Sequence, residues 1–169
     1  MILVQDFNIG EIITKEFINL KIGEADASDR RRAAHVFSNP GDNLQEIMNA
    51  CMFDTYIRPH IHGLNGNPKK AEKVKVLKGK IGVIEFDAEG KIIQTITLDE
   101  ASKGIYVAPE TWHGYVILSE SAAVYEKIYG AYDSKTHKQF ADWSPEEEDS
   151  PKVKAYMDEL RLAFNGPAP

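Results

Sequence analysis

From residue 45 to residue 129 the chain is a succession of short apolar runs cut by turn residues, and few architectures accept that rhythm. The runs are 45–58, 73–78, 81–87, 91–98, 104–108, 112–118 and 122–129. Between them lie Gly63 to Pro68, Lys78-Gly79, Ala88-Glu89-Gly90, Asp99 to Gly104 and Ser119 to Ser121. Short strands at such spacing predict a sandwich or small barrel rather than βαβ units. Helical periodicity is confined to the flanks. Ile9, Ile12, Ile13, Phe17, Leu20 and Ile22 predict a first helix over about 9–22 with Asn8 as its N-cap. Val153, Tyr156, Met157, Leu160 and Phe164 predict a last helix, with Ser150 as cap and Pro151 in its first turn. The expected organisation is therefore an N-terminal helical extension (1–35), a β-barrel (36–132) and a C-terminal segment with a helix packed on the barrel (133–169). The final Gly-Pro-Ala-Pro is expected to fray.

Composition narrows the class of partner. The 169 residues carry a formal net charge of −6, which argues against nucleic acid or an anionic membrane as the main partner. The Arg30-Arg31-Arg32 cluster is too short to reverse that balance. A lone cysteine, Cys51, cannot close an internal disulfide and fits a reducing compartment. No apolar run approaches a membrane span, and the N-terminus has no basic region followed by an apolar core. The cytoplasm is the expected location.

Chemistry concentrates in the histidines. Of five in the chain, His60 and His62 stand two apart, so on a strand both imidazoles leave one face. Glu72 opens the next apolar run and His113 opens a later one. Three neutral imidazoles and a carboxylate suit one divalent ion, Zn, Fe, Ni or Mn. The loop Asn65 to Lys70 makes Glu72 the least secure of the four. His35 and His137 lie in polar segments and read as surface residues.

Strand parity proposes neighbours for this site. If residues 50–62 form one unbroken strand, Met52, Asp54, Tyr56 and Arg58 share the face of His60 and His62, and Cys51 faces away. Pro59 is the place where a bulge would shift that register. Glu126 shares its face with Val124 and Ile128; a carboxylate among aliphatics implies either an acid–base role or a buried partner such as Arg58. Tyr56 is either a proton-transfer group or core packing, and Arg58 either holds an anionic or hydroxyl-bearing substrate or forms a salt bridge. Trp112 reads as a core or interface aromatic, and Phe140 and Trp143 as pins for the C-terminal segment.

These residues also carry a family resemblance. His60-x-His62, Glu72 and Gly79 resemble the first cupin motif, with a longer loop before the Glu. The stretch from Gly104 to His113 resembles the second, with Ala108 at its usual proline and Glu110 at its usual glycine position. More narrowly, Thr55-Tyr56-Ile57-Arg58-Pro59-His60, Glu110-Thr111-Trp112-His113, Glu126-Lys127 and Phe140-Ala141-x-Trp143-x-Pro145-x-Glu147 resemble the WbuC family. The resemblance implies a double-stranded β-helix (jelly-roll) barrel that binds metal, often encoded among bacterial surface-polysaccharide genes. It implies a metal held by His60, His62, Glu72 and His113 and, by analogy with cupins that pair through sheet edges, a homodimer.

Two functions follow. One is an enzyme acting on a small carbohydrate-related metabolite, with the metal as Lewis acid, Glu126 or Tyr56 moving a proton and Arg58 holding the substrate; isomerase, epimerase and oxygenase chemistry all stay open. The other is a metal-dependent module that binds or senses a small molecule without turnover. A metal that only stabilises the barrel is a third reading.

Overall fold

The computed structural model describes residues 1–9, 12–62 and 70–164. The turn predicted at 63–68, the loop residues 65–69 and the final 166–169 lie outside the described residues. The strands are β1 (Ile2–Val4), β2 (Arg32–Val36), β3 (Leu44–Met52), β4 (Ile57–Ile61), β5 (Glu72–Lys78), β6 (Lys80–Phe86), β7 (Ile92–Asp99), β8 (Ile105–Val107), β9 (Trp112–Ile117), β10 (Ser121–Tyr129) and β11 (Gln139–Phe140); the helices are α1 (Lys15–Ala27) and α2 (Ser150–Leu162). They form one sheet in the order β1-β8-β5-β10-β3-β2 and a second in the order β11-β4-β9-β6-β7. From β3 to β10 the chain changes sheet at every step except the β6–β7 hairpin, which winds it into a jelly-roll barrel.

Side-chain alternation explains why the two sheets close on one another. Val74, Val76, Ala122 and Val124 of the first sheet meet Ile81, Val83, Tyr115 and Ile117 of the second in one buried core. Each fully buried aliphatic side chain contributes about 1.5–3 kcal/mol. The outer faces are covered as well. Ile18, Ile22 and Ala25 of α1, at helical spacing, pack on Met48, Ala50 and Met52. Leu160 of α2, with Tyr156 and Phe164, packs on Ile84, Phe86 and Val116 of the second sheet.

Several boundaries differ from expectation. The first helix starts at Lys15 because the Thr14 hydroxyl, not Asn8, accepts the Phe17 amide, and it runs to Ala27 because Ala25 still faces the sheet. The last helix is capped by Asp149, one residue before Ser150. Residues 45–58 are two strands, since Phe53 and Asp54 turn the chain from one sheet into the other. That turn reverses the parity upstream of it: Cys51 faces the barrel interior and Met52 faces α1. Residues 1–36 supply β1 and β2 to the first sheet in addition to a helix. No helix among the described residues is long and apolar enough to cross a membrane.

The β5–β6 link depends on Gly79. Its φ is +80°, and a Cβ there would meet the Ser121 backbone carbonyl. Gly79→Ala is expected to lower stability by about 2 kcal/mol or more, from left-handed strain plus a contact that cannot relax. The shift in the urea midpoint at unchanged slope measures it.

Candidate metal centre

Two sheets contribute to one buried cluster. His60 on β4 pairs across the ladder with His113 on β9, and Glu72 begins β5 on the opposite sheet. The register between β4 and β9 slips between Ile57 and His60, where Pro59 removes a ladder donor. His62 follows the end of β4, and its carbonyl accepts the Glu110 amide at 3.2 Å. Glu110 sits at φ +58°, so it supplies the left-handed conformation that the second cupin motif ordinarily assigns to glycine. The turn ties the end of β4 to the start of β9.

The ligand atoms of His60, His62, Glu72 and His113 all lie within 4.8 Å of one another, and all four residues are buried. Each imidazole is fixed from behind by a backbone carbonyl: His60 Nδ1 at 2.9 Å from the Arg58 oxygen, His62 Nδ1 at 2.7 Å from that of His137, and His113 Nδ1 at 2.8 Å from that of Thr111. A carbonyl only accepts, so each Nδ1 carries the proton and each Nε2 presents a lone pair. Among the described residues the Nε2 of His60 is buried without a partner, and that of His62 stands 3.6 Å from Glu72 Oε2, too far for a hydrogen bond. That of His113 stands 2.9 Å from Glu72 Oε2, which also accepts from the Tyr115 hydroxyl at 3.1 Å. Lone pairs this close in a buried cluster are suited to sharing a cation. The donor set and its orphaned nitrogens fit a divalent metal ion.

The protonation states agree. Burial pulls His60 well below the usual imidazole range and lowers His62 as well. Burial would push Glu72 up, but the adjacent His113 and His62 imidazoles hold it well below the ordinary carboxylate range. Neutral imidazoles and an ionised carboxylate are the ligating forms.

The cluster adjoins a cavity of about 240 Å³ whose wall includes His60, Tyr115, Glu126 and Arg58. Glu126 lies on β10 diagonal to Glu72, with Asn49 beside it. Burial, then the negative Glu72, raise its carboxyl to about 8. It is not paired with Arg58. The Arg58 guanidinium instead bonds the Ser144 hydroxyl at 3.1 Å and the Ala141 carbonyl at 3.0 Å. The Tyr56 hydroxyl donates to the Pro145 carbonyl at 2.9 Å, and the residue is not on the cavity wall.

Other residues sit differently from expectation. His137 is half-buried, its ring 5.2 Å from that of His62, and burial lowers it to about 3. His35 packs edge-on against Phe17 and Phe37 under α1. Cys51 lines the cavity, though burial pushes its thiol up to about 12, which leaves it inert. Phe140 lies 47% exposed at the cavity instead of pinning the segment, whereas Trp143 does pin it, against Phe86 and Trp112. Lys138, on the cavity wall, carried no signal in the sequence beyond its place two residues before Phe140.

Comparison with known proteins places the fold. Capsular polysaccharide assembling protein CapF from Staphylococcus aureus superimposes with a TM-score of 0.57 at 16% identity, over 67% of this chain and 32% of CapF. The chain therefore spans about a third of the length of CapF. A cupin 2 domain-containing protein from Halorhodospira halophila superimposes with a TM-score of 0.50 at 15% identity, over 77% of this chain and 81% of that one. The barrel is a cupin fold. No curated protein matches the sequence. Residues 13–98 match the family described as "Domain of unknown function (DUF6016)", and the chain belongs to that family.

Two outcomes are expected. Protein purified without chelator carries one equivalent of a divalent metal by elemental analysis, and His113→Ala loses it. In the metal-free protein the sign of the pH dependence also follows. His60 and His62 have native pKa values below the unfolded 6.5, so the unfolded chain binds more protons and stability falls as pH drops below about 6.5. Glu126 acts oppositely: raised from 4.5 to about 8, it costs stability as pH rises through that window. Urea titrations across pH should therefore show Glu126→Gln gaining on wild type toward pH 8.

Proposed function

We propose that the protein is a metal-dependent cupin enzyme acting on a small polar, carbohydrate-related metabolite. The observation that carries this reading is that His60 belongs both to the ligand cluster and to the wall of the adjoining cavity, opposite Glu126. A purely structural ion needs no such opening. An ion held by His60, His62, Glu72 and His113 would supply Lewis acidity to a carbonyl or hydroxyl oxygen in the cavity.

The chain's own residues supply the rest. Glu126 faces the cavity from an aliphatic row of β10, and burial raises its carboxyl toward the range suited to general acid–base work. Asn49 steadies it. Proton handling falls to Glu126 rather than Tyr56, whose hydroxyl is spent on Pro145. Ile57 and the ring of Tyr115 supply an apolar part of the cavity wall. A carbohydrate-related substrate is in keeping with the WbuC resemblance and with the capsular polysaccharide role in the name of CapF.

The test is solvent proton exchange. Metal-loaded protein is incubated in D₂O with a panel of keto- and aldo-sugars and followed by NMR. Deuterium is expected at the carbon beside a carbonyl, and Glu126→Gln should slow its entry by about 10²-fold or more with metal content unchanged. A protein that binds panel members but exchanges none of them is a binding module, and the enzymatic reading falls.

A further inference from the structure

The cavity wall carries a charge opposite to that of the molecule. The chain has a formal net charge of −6. Yet Arg30, Arg32, Arg58 and Lys138 line the cavity against only two carboxyl groups, Glu126 and Glu147. Glu147 is already shared, 2.7 Å from Arg30 and 3.2 Å from Arg32. Glu126 lies on the same wall and forms no ion pair with Arg58 or Lys138. Arg58 is bonded only to neutral oxygens of Ser144 and Ala141. Lys138 is half-buried and has no hydrogen-bond or ion-pair partner among the described residues.

Unmatched cations on a concave, partly dry wall are unfavourable unless a ligand brings the opposite charge, and they concentrate that ligand by focusing the field. Their placement is suited to it. Phe140 pairs with His60 across β11 and β4, and Lys138, just before β11, lines the same cavity wall. Arg58 stands two residues before His60. Both cations therefore flank the imidazole that joins the metal cluster to the cavity.

Resting on the reading of this cavity as the substrate site, we propose that the metabolite is an oxyanion, whose carboxylate or phosphate group is held by Lys138 and Arg58. A neutral sugar would leave both cations unmatched. An acidic sugar or a sugar phosphate satisfies them while presenting a carbonyl or hydroxyl toward His60 and Glu126.

The proposal is tested apart from turnover, by calorimetric titration at low salt of metal-free and metal-loaded protein with inorganic phosphate, with succinate, and with glucose as the neutral control. Saturable binding of phosphate or succinate to both forms, and none of glucose, is expected; the tighter anion distinguishes phosphate from carboxylate. Lys138→Gln should weaken it about tenfold or more, and Lys138→Arg should retain it. Lys138 has no internal partner, so these variants are expected to fold, which the thermal midpoint checks. Failure of both anions to bind wild type, or equal binding by Lys138→Gln, overturns the proposal. Loss of metal or of deuterium exchange would instead count against the enzymatic reading alone.

Discussion

The carbonyls of Arg58, Thr111 and His137 each take the Nδ1 proton of one imidazole, and so turn three Nε2 lone pairs toward the Glu72 carboxylate. Much of the barrel serves to hold those three carbonyls in place. The slip at Pro59 sets the Arg58 oxygen behind His60. The left-handed Glu110 fixes the turn that presents Thr111 behind His113. The segment leading into β11 brings the His137 oxygen behind His62. Without these bonds each ring would be free to exchange tautomers and rotate, and the cluster would be four buried polar groups without a common direction.

The ligand set was legible in the sequence because its parts are local. His60-x-His62 states its own geometry through the two-residue period of a strand, and Glu72 and His113 each open an apolar run at a strand boundary. The strand count was legible for the same reason, since turn residues mark nearly every edge from β5 to β10. Glu126 stood out as a carboxylate in an aliphatic row, and the row does face the core. The departure at Glu110 was visible in the sequence, but its outcome was not: Glu110 itself takes a positive φ.

What was not legible depends on contacts between distant residues. The chain changes sheet at Phe53-Asp54 without a glycine or proline there, so parity carried back from His60 put Cys51 and Met52 on the wrong sides. Short pairings were invisible too. β1, β2 and β11 have three, five and two residues, too few for a period to show, and each is a strand only because a neighbouring strand offers it a ladder. His137 looked like surface because its segment is polar, yet its carbonyl serves the centre.

The cavity wall shows this dependence most strongly. Its cations come from the strand β2 and the turn before it, from β4, and from the segment before β11, and a C-terminal strap binds them together. Glu147 joins Arg30 to Arg32, Ala141 and Ser144 hold Arg58, and Pro145 holds Tyr56. The strap is then pinned by Trp143 on Phe86 and continues into α2, whose Leu160 packs on the second sheet. The two halves of the site are therefore encoded differently. The candidate metal ligands lie on strands or, for His62, at a strand's end, so the capacity to bind an ion follows from local sequence. The charge on the cavity wall is instead arranged by contacts with the strap, far along the chain from the cluster, so its pattern does not follow from local sequence.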